Sequence, residues 1–173
     1  MRQVVYAIAL SLATTPFAFS QTSAPHSAET ARERANADAV LTWTDPVTGL
    51  MWSKKDNSGN VNWNQASDYC SSLQLAGFSG WRLPTIEELQ GIYDPNVSVQ
   101  TVFGNGFTLN VHVMGDLRLT GWHWSSSQED APGQPGKVAR TFNFGGENPR
   151  GTFPLGFNYS MRALCVRPLC QHQ

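Results

Sequence analysis

The chain has 173 residues, 40% of them hydrophobic and only 14% charged, with 15 Gly, 10 Pro and 6 Trp. A typical soluble domain carries about 25% charged residues, so this composition predicts one loop-rich, aromatic-rich domain and excludes disorder for the bulk of the chain. Twelve Lys and Arg against 13 Asp and Glu give a formal charge of −1, which leaves no basic footprint for a nucleic-acid partner.

Residues 1–20 combine Arg2, the apolar run Val4 to Leu12 and the small-residue end Ala18-Phe19-Ser20, the layout of a signal peptide cleaved after Ser20. Thr14, Thr15 and Pro16 interrupt the run before it reaches the roughly 20 apolar residues of a membrane span. No cysteine precedes Cys70, so no lipid-modified N-terminal cysteine is available. The expectation is a mature chain without a transmembrane segment, secreted or periplasmic. Residues 21–40 hold no aromatic residue and read as a linker or a frayed helix. The folded domain is placed at 41–168, with a short tail at 169–173. An exported chain can form disulfides. The three cysteines, Cys70, Cys165 and Cys170, allow at most one intramolecular bridge.

Within the domain, Leu41 to Thr44 is a strand signal, and Asp45-Pro46-Val47-Thr48-Gly49 has turn chemistry. Leu50-Met51-Trp52 is the returning strand, and residues 53–60 form a surface loop. Asn62 and Gln65 make a capping box that opens a helix, with Trp63, Ala66, Tyr69, Cys70 and Leu73 on its inner face. Gly77, Ser79 and Gly80 end that element. Trp81-Arg82-Leu83 is extended, and Pro84 keeps Leu83 out of the helical region. Thr85 and Glu88 make a second capping box for a short helix with Ile86, Leu89 and Tyr93 buried, stopped at Asp94-Pro95. Residues 96–121 show no sustained period and are expected to be long loops, which are usually functional or disordered. Residues 122–126, 138–144 and 162–167 are β-branched and aromatic strand candidates, separated by loops at 128–136 and 145–157. The order predicts an α+β domain with two short helices and a small antiparallel sheet.

The strings Asp45 to Trp52, Trp63 to Cys70, Trp81-Arg82-Leu83-Pro84-Thr85-Ile86-Glu87-Glu88-Leu89, Trp124-Ser125-Ser126-Ser127 and Arg162 to Arg167, in this order, resemble the bacterial Lcl C-terminal domain family. The resemblance implies a C-type-lectin-like fold: two helices, a small twisted sheet and a long loop region that carries ligand. It implies an exported binding module, because the characterised member type is a collagen-like adhesin whose C-terminal domain binds sulfated glycosaminoglycans and related polysaccharides. No Gly-X-Y repeat stands before the domain here, a departure from that adhesin. In lectin-like folds a cysteine of the first helix bridges to the last strand. Cys70 and Cys165 hold those positions, which leaves Cys170 over.

The Trp-Arg-Leu-Pro-Thr block reads as capping and packing, with Arg82 seeking a carboxylate partner. Ser125 with His123 as base would make a hydrolase, but residues two apart on a strand sit roughly 6.5 to 7 Å apart, too far for the required hydrogen bond of about 3 Å. No Gly-x-Ser-x-Gly elbow is present. His26, His112, His123 and His172 lack zinc spacing. Calcium remains a minority reading through Glu147-Asn148-Pro149 and Asp130, in an order unlike that of sugar-binding C-type lectins. Cys165 and Cys170 invite comparison with formylglycine-generating enzymes, whose cysteine pair precedes the final strand. The expectation is therefore a non-enzymatic module for a polysaccharide or cell-surface ligand, with an oxidoreductase of that kind or a purely structural domain as alternatives. Its polar binding surface is expected to be Glu147, Asn148 and Arg150, joined by Asp130 at the same end of the fold.

Overall fold

The structure is a computed structural model and describes residues 25–103, 106–133, 136–146 and 149–169. Helix α1 (Pro25–Leu41) leads into strands β1 (Thr42–Thr44) and β2 (Leu50–Ser53), followed by helices α2 (Trp63–Ser72) and α3 (Ile86–Gly91). Strands β3 (Val99–Val102), β4 (Thr108–Val111), β5 (Trp122–Asp130), β6 (Lys137–Phe142), β7 (Arg150–Pro154), β8 (Met161–Arg162) and β9 (Val166–Pro168) complete the chain. They form three sheets, ordered β1-β2-β9, β3-β4 and β7-β6-β5-β8. All pairings are antiparallel except β5 with β8. The fold is α+β, as the element order predicts.

Local chemistry explains most of these boundaries. Asp45 closes the β1–β2 turn by accepting from Val47 N at 3.0 Å and from the Thr48 hydroxyl at 2.5 Å, while Gly49 takes the left-handed φ of +69° that the turn requires. Both capping boxes form: Asn62 with Gln65 opens α2, and Thr85 with Glu88 opens α3. Each satisfies two of the N–H groups that a helix start leaves without partners.

Two hydrophobic clusters share the interior. One gathers Trp52, Leu89, Val111, Leu117, Phe144 and Leu164, and the other Met51, Cys70, Trp81, Trp124, Met161 and Cys165. The second contains the disulfide Cys70–Cys165, which joins α2 to the segment before β9. Cys170 lies outside the described residues.

Helix α1 covers most of the stretch read as linker or frayed helix. Other segments differ from the sequence reading. Residues 96–121 hold the hairpin β3–β4, with Val99 facing Val111 and Val102 facing Thr108; its inner face sets Thr101 among Val99, Leu109 and Val111 while Val102 stands exposed on the outer face, so polarity does not follow burial along these short strands. The expected 145–157 loop holds β7, an edge strand concealed by Gly151 and Pro154, two residues that weaken a strand signal. Gly151 is required there. A Cβ at this position would stand 2.8 Å from both Thr141 Oγ1 and the Trp122 ring.

Candidate functional site

The Trp81 to Leu89 block is a structural device that fixes α3 on the sheet. A register shift between Trp124 and Gln128 re-aims β5, so that Ser126 N donates to Pro84 O at 2.7 Å and Ser127 Oγ accepts from Ile86 N at 3.0 Å. Arg82 grips Glu88 with two hydrogen bonds of 2.8 and 2.7 Å. That bond raises the Arg82 pKa, and although burial pushes the Glu88 carboxyl up, Arg82 and the Thr85 N–H hold it below its ordinary value. Ser125 spends its hydroxyl proton on Arg140 O at 2.7 Å.

His123 faces a different partner, which the sequence did not reveal. Its Nε2 lies 3.1 Å from Asp56 Oδ2, with both side chains fully buried. Asp56 also accepts from Thr120 N at 2.5 Å, Thr120 Oγ1 at 2.9 Å and Ser58 N at 2.9 Å. Burial pushes this carboxyl up, but His123 and the two backbone N–H groups outweigh it and hold the pKa below the usual carboxylate range. Arg162 extends the network by donating to Thr120 Oγ1 at 2.9 Å and Asn60 Oδ1 at 2.5 Å. The pair lies 67 residues apart in sequence, and no motif spacing links its members. It fastens the 53–60 loop to β5 and β8.

With α3 held in place, Ile86 and Gln90 overlook β6 and β7, and a cleft of about 370 Å³ opens between helix and strands. Its polar wall is Arg140, Arg150 and Thr152, over the backbone of Thr141 and Gly151. The register explains the grouping: Arg140 faces Thr152 and Phe142 faces Arg150. Directly paired residues share a sheet face, so both arginines lie on the side that α3 covers. Arg140 Nε and Nη2 reach Glu129 Oε2 at 3.1 and 2.9 Å. Among the described residues, Arg150 makes no ion pair.

Of the four residues expected at the binding surface, Arg150 therefore stands in the cleft, at the start of β7. Glu147 and Asn148 lie outside the described residues. Asp130 is not brought to Arg150. It ends β5, is 89% exposed, and pairs with Lys137 at 3.0 Å. Lys137 and Phe142, the strand partners of Asp130 and Arg150, are the two ends of β6, roughly 17 Å apart at the usual rise per residue. The expectation that Asp130 shares an end with this loop is corrected, because β6 runs between them. Gln90 and Thr152 were missed; period-two alternation could have placed Arg140 on one face of β6, but not which residues of a concealed strand lay beside it.

Among the described residues, no three of His, Cys, Asp and Glu gather as metal ligands, and no helix is long and apolar enough to cross a membrane. In comparisons with known proteins, no curated protein and no solved structure matches the chain significantly. The model of the Lcl C-terminal domain matches residues 41–167, most of the chain, and we conclude that the chain belongs to the Lcl C-terminal domain family.

Proposed function

We propose that the chain is an exported bacterial binding module of adhesin type, without enzymatic activity, that recognises acidic polysaccharide at a surface. The observation that carries this reading is the cleft between α3 and the β6–β7 edge. It offers two guanidinium groups, an amide and a hydroxyl on a rigid scaffold, groups suited to anionic and hydroxylated ligands. Recognition then rests on these groups and not on a bridging calcium. Export is supported by the signal-like composition of residues 1–20 and by the disulfide, which suits an oxidising compartment. A C-type-lectin-like architecture is supported by the pairing of β2 with β9 near the two ends of the domain and by the bridge from α2 to the segment before β9.

Retention of the purified chain on columns of uronate-rich, sulfated and neutral polysaccharide tests the reading. Acidic columns should retain it at low salt and release it at high salt, because half-exposed cations are screened. Equal retention on the neutral column, or none on the acidic ones, refutes the reading.

A further inference from the structure

We propose, resting on the reading of this cleft as a site for acidic polysaccharide, that it takes one singly charged acidic sugar residue and that Glu129 sets this limit. The volume of about 370 Å³ is at the small end of the roughly 300 to 1,000 Å³ range of ligand pockets. That gives room for one sugar residue. The charges around the cleft point the same way. Arg140 is half-exposed, but both its contacts to Glu129 fall on one carboxylate oxygen, so its charge is matched before any ligand arrives. Elsewhere among the described residues, the ion pairs Arg82 with Glu88 and Lys137 with Asp130 are likewise self-compensating. Glu87 on α3 is exposed and forms no part of the wall. Arg150 is left as the uncompensated cation of the described wall.

One planar guanidinium matches one carboxylate or one sulfate ester through two parallel hydrogen bonds. A second negative charge on the same sugar would meet an Arg140 already occupied, beside the Glu129 carboxylate. Gln90 and Thr152 supply donors and acceptors for neutral hydroxyls, and Ile86 offers apolar surface to a C–H face. Glu129 is in this sense a specificity-determining residue that acts through Arg140.

The test uses calorimetric titration of the full chain with methyl glucuronide and methyl glucoside 6-sulfate, both singly charged, with doubly charged methyl glucuronide 2-sulfate, and with neutral methyl glucoside. The wild type should bind the single anions in preference to the dianion and the neutral sugar, and the tighter of the two single anions identifies the natural charge as carboxylate or sulfate. Arg150→Gln should weaken single-anion binding roughly tenfold or more, the worth of a charge-assisted contact. Glu129→Gln should release Arg140 and turn the preference toward the dianion by about tenfold, with an unchanged melting temperature showing that the fold is intact. Dianion preference in the wild type, or an unchanged preference in a folded Glu129→Gln protein, overturns the proposal. Acidic-column retention that is unchanged in Arg150→Gln overturns this inference while leaving the broader reading standing, whereas absence of retention in the wild type refutes the broader reading itself.

Discussion

Asp56 shows how one residue can decide the stability of a loop that has little apolar content. Its carboxylate is buried and accepts four hydrogen bonds, from His123, the Thr120 backbone and hydroxyl, and the Ser58 backbone. Asp56→Asn would turn an NH₂ group toward one of these donors and leave His123 without its anion. Leaving a buried donor without its acceptor costs about 1 to 3 kcal/mol, so a fall of that order in unfolding free energy is expected by urea denaturation. The pH dependence has a definite sign. Because the folded pKa lies below the ordinary carboxyl value of 3.8, the folded state binds fewer protons than the unfolded one as this group titrates. The stabilisation is present above the unfolded pKa and is lost as pH falls through the folded pKa. Urea midpoints measured downward from pH 5 should fall more steeply in the wild type than in Asp56→Asn. Parallel curves would show that Asp56 carries no such linkage.

At the scale of elements, the strongest constraint is the bridge from α2 to the segment before β9. Its loop spans 95 residues, and in the chain-entropy model a closure of that length contributes about 4 to 5 kcal/mol by restricting the unfolded chain. Replacing Cys70 and Cys165 together by Ala should lower the stability by that order, read as the shift of a non-reducing urea transition. A second prediction concerns β7, the edge strand that carries Arg150. Gly151→Ala would force its Cβ against Thr141, Trp122 and Phe153, so β7 must move off β6. The overpacking cost is about 1 to 3 kcal/mol, and loss of cleft binding should accompany the fall in melting temperature. These elements also show what a sequence can carry. Asn62-Gln65 and Thr85-Glu88 could be read directly because a capping box is a local hydrogen-bond pattern of four residues. The hairpin β3–β4 could not, since Thr101 is buried and Val102 exposed, so that polarity and burial do not alternate together. Arg150 was legible as a polar candidate, but its company was not, because strand register places Arg140 beside it and that register depends on pairing across a loop.

Over the whole molecule, the domain closes where its first and last strands flank β2, which pairs with both β1 and β9. That closure locates the working start of the fold. Leu41 O accepts from Lys54 N at 2.9 Å, and Thr42 is buried opposite Ser53, so both residues belong to the closed structure. Upstream the picture changes. Val40 is 72% exposed, the described side chains of α1 before it are exposed or half-buried, and α1 shows no marked apolar face to bury against the sheets. A helix supported mainly by its own hydrogen bonds is marginal at 17 residues and adds little to the cooperative unit. Removing residues 1–40 should therefore shift the melting temperature by no more than about 2 °C, the effect of a change within roughly 0.5 kcal/mol, and leave binding at the cleft intact. Starting the chain at Trp43 should behave differently: it removes the Leu41 carbonyl that holds Lys54 and the Thr42 pairing with Ser53, and a clear fall in melting temperature is expected by calorimetry. If the shorter deletion also destabilises strongly, α1 is part of the cooperative unit and the domain begins earlier than its family match.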